Sequence, residues 1–212
     1  MTTAIPSIAC LGVIGRNNNP LHMSIFPSHD AATDTLAPLR SPLQFSLLLS
    51  STIDVFDLRA RHSSSSNNNG DGGGAQQPLA GVAGLVTGDA GLLHAIDDRL
   101  AAYGFETNTG VRMVCVVDMR GRSAAVADAA AAAAAAASSG SAPATRPSGA
   151  GLRDAELKPV FRAMQTAYVR LLQNPFFDPD EHAPLGGRGG RSISSKRFVE
   201  DMRRIGEAWT PG

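Results

Sequence analysis

The sequence predicts an α+β fold: one antiparallel sheet of five strands with one helix on one face and two on the other, in the order ββαβββαα. Three patterns predict it. Two strand-like stretches flank an Asn-Asn-Asn-Pro turn near the start, three more form a meander between residues 91 and 118, and three segments repeat apolar residues at helical spacing. Together they define a single domain over residues 7–210.

Residues 7–15 are a continuous apolar run with Ile8, Val13 and Ile14, of the kind a strand buried on both faces shows. Asn17-Asn18-Asn19-Pro20 turns the chain, residues 21–26 alternate as a second strand, and Pro27 closes a β-hairpin. Ser41-Pro42-Leu43-Gln44 has the residues of a capping box with Pro at the first helical position, and opens a helix over about residues 42–60. Residues 91–96 read as a strand, Asp97-Asp98 as a tight turn and residues 99–107 as the antiparallel partner. After the turn Asn108-Thr109-Gly110, residues 111–118 form a central strand, with Val111, Met113, Cys115 and Val117 on one face and Val114 and Val116 on the other. Leu157, Val160, Phe161, Met164, Tyr168, Leu171 and Leu172 then recur at helical spacing behind Asp154 as N-cap, and that helix ends at Asn174-Pro175. Pro159 lacks a donor beyond the first turn, which favours a late start or a bend. Phe198, Met202, Ile205 and Trp209 make a shorter amphipathic helix with Ser194 as its cap.

Composition narrows the function classes. The 212 residues carry 19 basic and 19 acidic side chains, a formal net charge of zero, so the surplus of Lys and Arg that recruits nucleic acid or anionic lipid is missing. Protein surfaces are the expected partners. Cys10 and Cys115 sit in apolar, β-branched runs and read as buried free thiols. The start has no basic-then-apolar signal pattern, and no stretch of about 18 apolar residues is present to span a bilayer, so the chain is expected to stay in the cytosol.

Three low-complexity insertions interrupt the elements. Residues 61–90 open with runs of Ser, Asn and Gly that have almost no apolar surface to offset the entropy of ordering, and read as mostly disordered. Residues 121–151 join an alanine run to Ser, Pro and Gly; they read as disordered, or as a transient exposed helix built on the high helix propensity of alanine. Residues 183–192 form a Gly/Arg-rich loop, too short to count as an RNA-binding tract.

The first helix carries the most informative arithmetic. At about 100° per residue, Phe45, Leu48, Leu49, Thr52, Ile53 and Phe56 fall on one stripe that should cover the sheet. Leu43, Leu47 and Leu58 project from the opposite side together with Asp54, where a lone domain shows water mainly charged residues. Either another segment covers them or they form a partner-binding face with an acidic anchor. The parts of an enzyme are missing. Gly70 to Gly74 precede no Lys-Ser or Lys-Thr, no Gly-x-Ser-x-Gly elbow occurs, and the histidines, expected to be mostly exposed, lack zinc spacing. Asp97-Asp98 suits a turn better than a catalytic pair. No catalytic residue, cofactor or metal site is expected.

Four strings go further. Ser51-Thr52-Ile53-Asp54-Val55-Phe56-Asp57, Tyr103-Gly104-Phe105-Glu106-Thr107-Asn108-Thr109, Val114-Cys115-Val116-Val117-Asp118 and Asn174-Pro175-Phe176-Phe177-Asp178-Pro179 resemble the sedlin family, above all its TRAPP subunit 2-like branch. The resemblance spans roughly 130–140 residues, one compact domain, and leaves out the insertions. It implies a longin-like (SNARE-like) fold and a non-catalytic scaffold role in TRAPP, an assembly that tethers vesicles in ER-to-Golgi and Golgi transport and promotes exchange on Rab-type GTPases. It further implies other TRAPP subunits as partners, a cytoplasmic location, and contact with Golgi or ER-Golgi membranes only through the complex. In the family the acidic position of the first-helix string is associated with partner contact, and Asp54 matches it. Leu43, Leu47, Asp54 and Leu58 are therefore the candidate contact residues, joined by Phe176 and Phe177, for which tucking into the core is the competing reading. A small adaptor subunit or a SNARE regulatory domain shares the fold. The first lacks this combination of strings, and the second is expected to continue into a heptad coiled coil and an anchor where this sequence stops shortly after Trp209.

Overall fold

The computed structural model describes residues 4–30, 35–66, 91–123, 154–182, 184 and 190–210. The polyalanine stretch and residues 67–90 lie outside the described residues, and with them most of the expected insertions. The sheet is built from β1 (Ala4–Ile14), β2 (Pro20–Ile25), β5 (Gly91–Ala95), β6 (Leu100–Glu106) and β7 (Arg112–Ser123). Its spatial order is β2-β1-β7-β6-β5 with every neighbouring pair antiparallel, so the first and last strands in sequence meet at the centre. That position explains why β1 and β7 are apolar on both faces.

The alternation in β7 is the one the residues predict. Val111, Met113, Cys115 and Val117 pack with Leu157, Phe161, Met164, Phe198 and Met202, whereas Val114 and Val116 pack with Phe45, Leu49 and Phe56. In β1 the pairing to β7 shifts register between Ile8 and Cys10, which turns the consecutive residues Ala9 and Cys10 to the same face while Ile8 and Leu11 serve the other. Cys10 and Cys115 thus lie on opposite faces, buried and free. Burial pushes the Cys10 thiol up to about 12 and raises that of Cys115 as well, leaving both as inert apolar groups.

One helix, α1 (Pro42–Ser66), covers the Val114 face. On the other lie α2 (Asp154–Leu172) and α4 (Lys196–Ala208), with the single turn α3 (Pro179–His182) between them. The turns follow their residues: Asn18 adopts φ 61° between β1 and β2, and Gly110 adopts φ 78° before β7, where the Gly110 amide donates to the Thr107 carbonyl at 2.9 Å.

Several expectations are corrected. The chain does not pass directly from β2 to α1, because β3 (Ser28–Asp30) and β4 (Thr35–Ala37) form a separate two-stranded antiparallel sheet, too short to show a period. The backbone of α1 continues through Ser66, taking the first six residues of the expected insertion, and β7 runs to Ser123, where it pairs with Ala4 and Ile5. The long C-terminal helix starts at Asp154 with Pro159 inside it, so its start is not late. The residue preceding α4 is Ser195, extended at φ −62° and ψ 115°, and it makes no side-chain cap bond, so Ser194 is not the cap. Just after the expected Gly/Arg-rich loop at 183–192, Ile193 is 4% exposed, and its amide donates to the Leu21 carbonyl at 2.7 Å, covering part of the β2 edge. His94 is exposed, whereas His22, His29 and His182 are half-buried.

Candidate partner-binding face

The capping box at the head of α1 forms as its residues require. The Ser41 amide donates to Gln44 Oε1 at 2.9 Å, and the Gln44 amide to Ser41 Oγ at 3.3 Å, satisfying two donors that a helix start leaves open. Phe45, Leu49, Thr52 and Phe56 are buried against the sheet, with Leu48 and Ile53 half-buried beside them. Thr52 tolerates burial because its hydroxyl donates to the Leu49 carbonyl at 2.7 Å. At Gly12 of β1 a Cβ would lie 2.5 Å from Leu49 Cδ2, so the missing side chain lets α1 sit close to the sheet.

Rotation about the helix axis is fixed from one flank. Arg112 of β7 donates through Nη2 to Asp57 Oδ1 at 2.6 Å and through Nη1 to Asn18 Oδ1 at 2.6 Å, with its guanidinium 5.4 Å from the centre of the Phe56 ring. Arg59 reaches the Leu92 carbonyl on the outermost strand. With α1 held this way, Leu43, Leu47 and Leu58 point outward, 70%, 62% and 53% exposed, and Asp54 is exposed among them. These four residues stand on one stripe about 22 Å long at 1.5 Å per residue. The hydroxyls between them are turned inward: Ser50 Oγ donates to the Ser46 carbonyl at 3.0 Å and Ser51 Oγ to the Leu48 carbonyl at 2.8 Å. They offer water less than bare serines do. Among the described residues Asp54 forms no ion pair.

The two phenylalanines part company. Asn174 opens a tight turn in which its carbonyl accepts the Phe177 amide at 3.0 Å and its side-chain oxygen the Phe176 amide at 3.2 Å. Phe177 is half-buried against the core on the α2 side and stacks on His182, with ring centroids 4.6 Å apart. Phe176 is 94% exposed. Since α1 covers the opposite face of the sheet, the turn does not join the leucine stripe.

The residues left out of the sequence reading include a buried ion pair. Asp118, with no exposure, accepts from Arg99 Nε and Nη2, both at 2.8 Å, and from the Arg120 amide at 2.9 Å, while Arg99 also donates to the His29 carbonyl at 2.8 Å. An aspartate ending the apolar string Val114-Cys115-Val116-Val117 is itself a signal that a cation must reach it. The Asp97-Asp98 turn is confirmed as a turn: Asp97 Oδ1 accepts the amides of Arg99 and Leu100, and Oδ2 accepts from Arg40. Burial opposes ionisation of Asp97, but these hydrogen bonds and the Arg40 charge outweigh it and hold the carboxyl below its ordinary value. Among the described residues, no group of three or more His, Cys, Asp and Glu side chains is placed to hold a metal, and no helix is long and apolar enough to cross a membrane.

The sequence profile of the Sedlin family matches residues 13–208, which covers the sheet from the end of β1 and every helix. The chain belongs to the Sedlin family. Its architecture, a five-stranded antiparallel sheet between one helix and a helix pair, is the longin-like fold of that family. Among curated proteins it is similar to the trafficking protein particle complex subunit 2-like protein of Mus musculus, 24% identical over 172 residues, with 81% of this chain and 84% of the relative covered. The protein of that name from Dictyostelium discoideum is 21% identical over 198 residues, covering 93% and 95%, and that from Bos taurus 23% over 172 residues, covering 81% and 84%.

Proposed function

We propose that this chain is a non-catalytic scaffold subunit of a TRAPP-type vesicle-tethering complex, seated against a neighbouring subunit through the outer face of α1. One observation carries the reading: an otherwise well-packed helix turns Leu43, Leu47 and Leu58 to solvent around an exposed carboxylate. Burying an exposed leucine contributes about 1.5–3 kcal/mol when complete, so three partly exposed ones supply the apolar centre of an interface. The stripe alone is smaller than the roughly 800 Å² per partner that a stable contact buries, so the contact extends onto the flanks of α1. Family membership and the names of the relatives support a place in a multi-subunit trafficking complex; in this reading the neighbours are other TRAPP subunits, the location is cytoplasmic and peripheral at Golgi or ER-Golgi membranes, and Rab exchange belongs to the assembly. Asp54 is the acidic anchor; Phe176, on the other side of the sheet, is a separate contact, and Phe177 supports its turn.

Affinity purification of the tagged chain from cells, read by mass spectrometry, tests this. Co-recovery of several TRAPP subunits is the expected result. Recovery of adaptor large chains without TRAPP subunits would transfer the protein to the small-adaptor class.

A further inference from the structure

On the side of the sheet away from the leucine stripe, α2 and α4 leave a groove along their seam. A recess of about 570 Å³ at its middle shares Ala167, Arg170 and Asp201 with a second of about 520 Å³, and Pro159, Ala163 and Ile205 with a third of about 600 Å³, so the three run together. The floor is apolar, formed by half-buried Ala163 and Ile205 and buried Ala167. The walls are basic. Lys158, Arg162, Arg170, Arg197 and Arg204 line the first two recesses against one acidic side chain, Asp201.

This surplus belongs to a chain of zero formal net charge, and it is not balanced locally. Arg204 pairs with Glu200 at 3.2 Å; among the described residues Lys158, Arg162, Arg170 and Arg197 form no ion pair. Lys158 and Arg162 stand one turn apart on the same helix face, a like-charge spacing that costs stability rather than adding to it. Elsewhere on α4 the charges are matched, as where Arg203 bridges Glu200 at 2.9 Å and Glu207 at 3.0 Å. Exposed cations left unmatched on both walls of an apolar groove favour an anionic occupant.

We infer that the α2–α4 groove binds an acidic amphipathic helix of a partner protein, its apolar face on Ala163, Ala167 and Ile205 and its carboxylates between the two basic walls. A helix suits the site because α2, 19 residues and so about 28 Å long, offers a trough of matching length. A bilayer suits it less. The apolar atoms lie at the bottom of the recess, where a flat surface cannot reach them, and the neighbouring Trp209, at 8% exposure, offers no ring to stack a base or anchor at an interface.

The test uses the full 212-residue chain and a fluorescein-labelled synthetic 18-residue Glu/Leu amphipathic peptide, read by fluorescence anisotropy, with a Lys/Leu peptide of the same pattern and phosphatidylserine vesicles as the other arms. Saturable binding of the acidic peptide is expected, weakening as salt is raised. It should fall at least tenfold both in the Arg162→Glu/Arg170→Glu double variant and in Ala163→Trp, which fills the floor without changing charge. Leu47→Glu, on the opposite side of the molecule, should leave it unchanged, which separates this site from the α1 face. No binding of the acidic peptide, equal binding of the Lys/Leu peptide, binding retained by both groove variants, or binding of vesicles in place of peptide would each overturn the inference.

Discussion

The outward sides of α1 and α4 answer water in opposite ways. On α4 the solvent side is a lattice of ion pairs: Arg203 is bridged by Glu200 and Glu207, and Arg204 also reaches Glu200. Hydrogen bonding from Arg203, ahead of every other influence, holds the Glu200 carboxyl below its ordinary value. Such exposed pairs are screened and contribute little to stability, but they make a surface that needs no cover. The outward side of α1 has no such lattice; it has three leucines and a carboxylate without an ion-pair partner among the described residues. Both helices bury an apolar stripe, Phe45, Leu49 and Phe56 on α1 and Phe198 and Met202 on α4, so packing on the sheet leaves the difference between their outward sides unexplained. The proposed seating of α1 against a neighbouring chain accounts for it.

The comparison is sharpened first where the effect is largest. Phe56→Ala removes a ring that is 5% exposed and should lower stability by about 3–5 kcal/mol in urea unfolding, as core aromatic truncations do. A loss below about 1 kcal/mol would mean that α1 is less firmly seated than its contacts imply. Next is Arg99→Ala, which strands the carboxylate of Asp118, with no exposure, in the sheet and should cost about 3 kcal/mol; the same measurement decides it.

A smaller effect is expected from acid. His22 is half-buried, edge-on to Phe198 at 5.2 Å, and burial holds its pKa below the ordinary 6.5. Because the folded pKa is the lower one, the unfolded chain takes up a proton first as pH falls below about 6.5, and stability declines from there until the folded pKa is reached. Above that window the contribution is fully present. Thermal melts between pH 7.5 and 5 should show this decline, and His22→Phe should flatten it.

Much of this was legible in the sequence, and what was not has physical causes. The two faces of β7 follow from the period of two of a strand applied to a run that is apolar throughout residues 113–117, and the capping box follows from Ser41 and Gln44 alone. The outward leucines needed only the 100° step of a helix. By contrast β3 and β4, three residues each, are too short for periodicity, and the Ser-rich end of α1 shows no apolar pattern over residues that nonetheless continue the helix. The Arg99–Asp118 pair depends on β6 lying beside β7, and the basic groove on α2 lying beside α4; neither adjacency is written in any local window. The split between Phe176 and Phe177 likewise awaited the turn at Asn174.

The measurement that bears most directly on the α1 face compares folding and assembly in the same variants. Leu47→Glu and Asp54→Tyr alter exposed positions and should shift unfolding free energy by no more than about 0.5 kcal/mol, while co-purification with neighbouring TRAPP subunits falls at least tenfold. Variants that unfold on their own, or that fold and still assemble as the parent does, would contradict it.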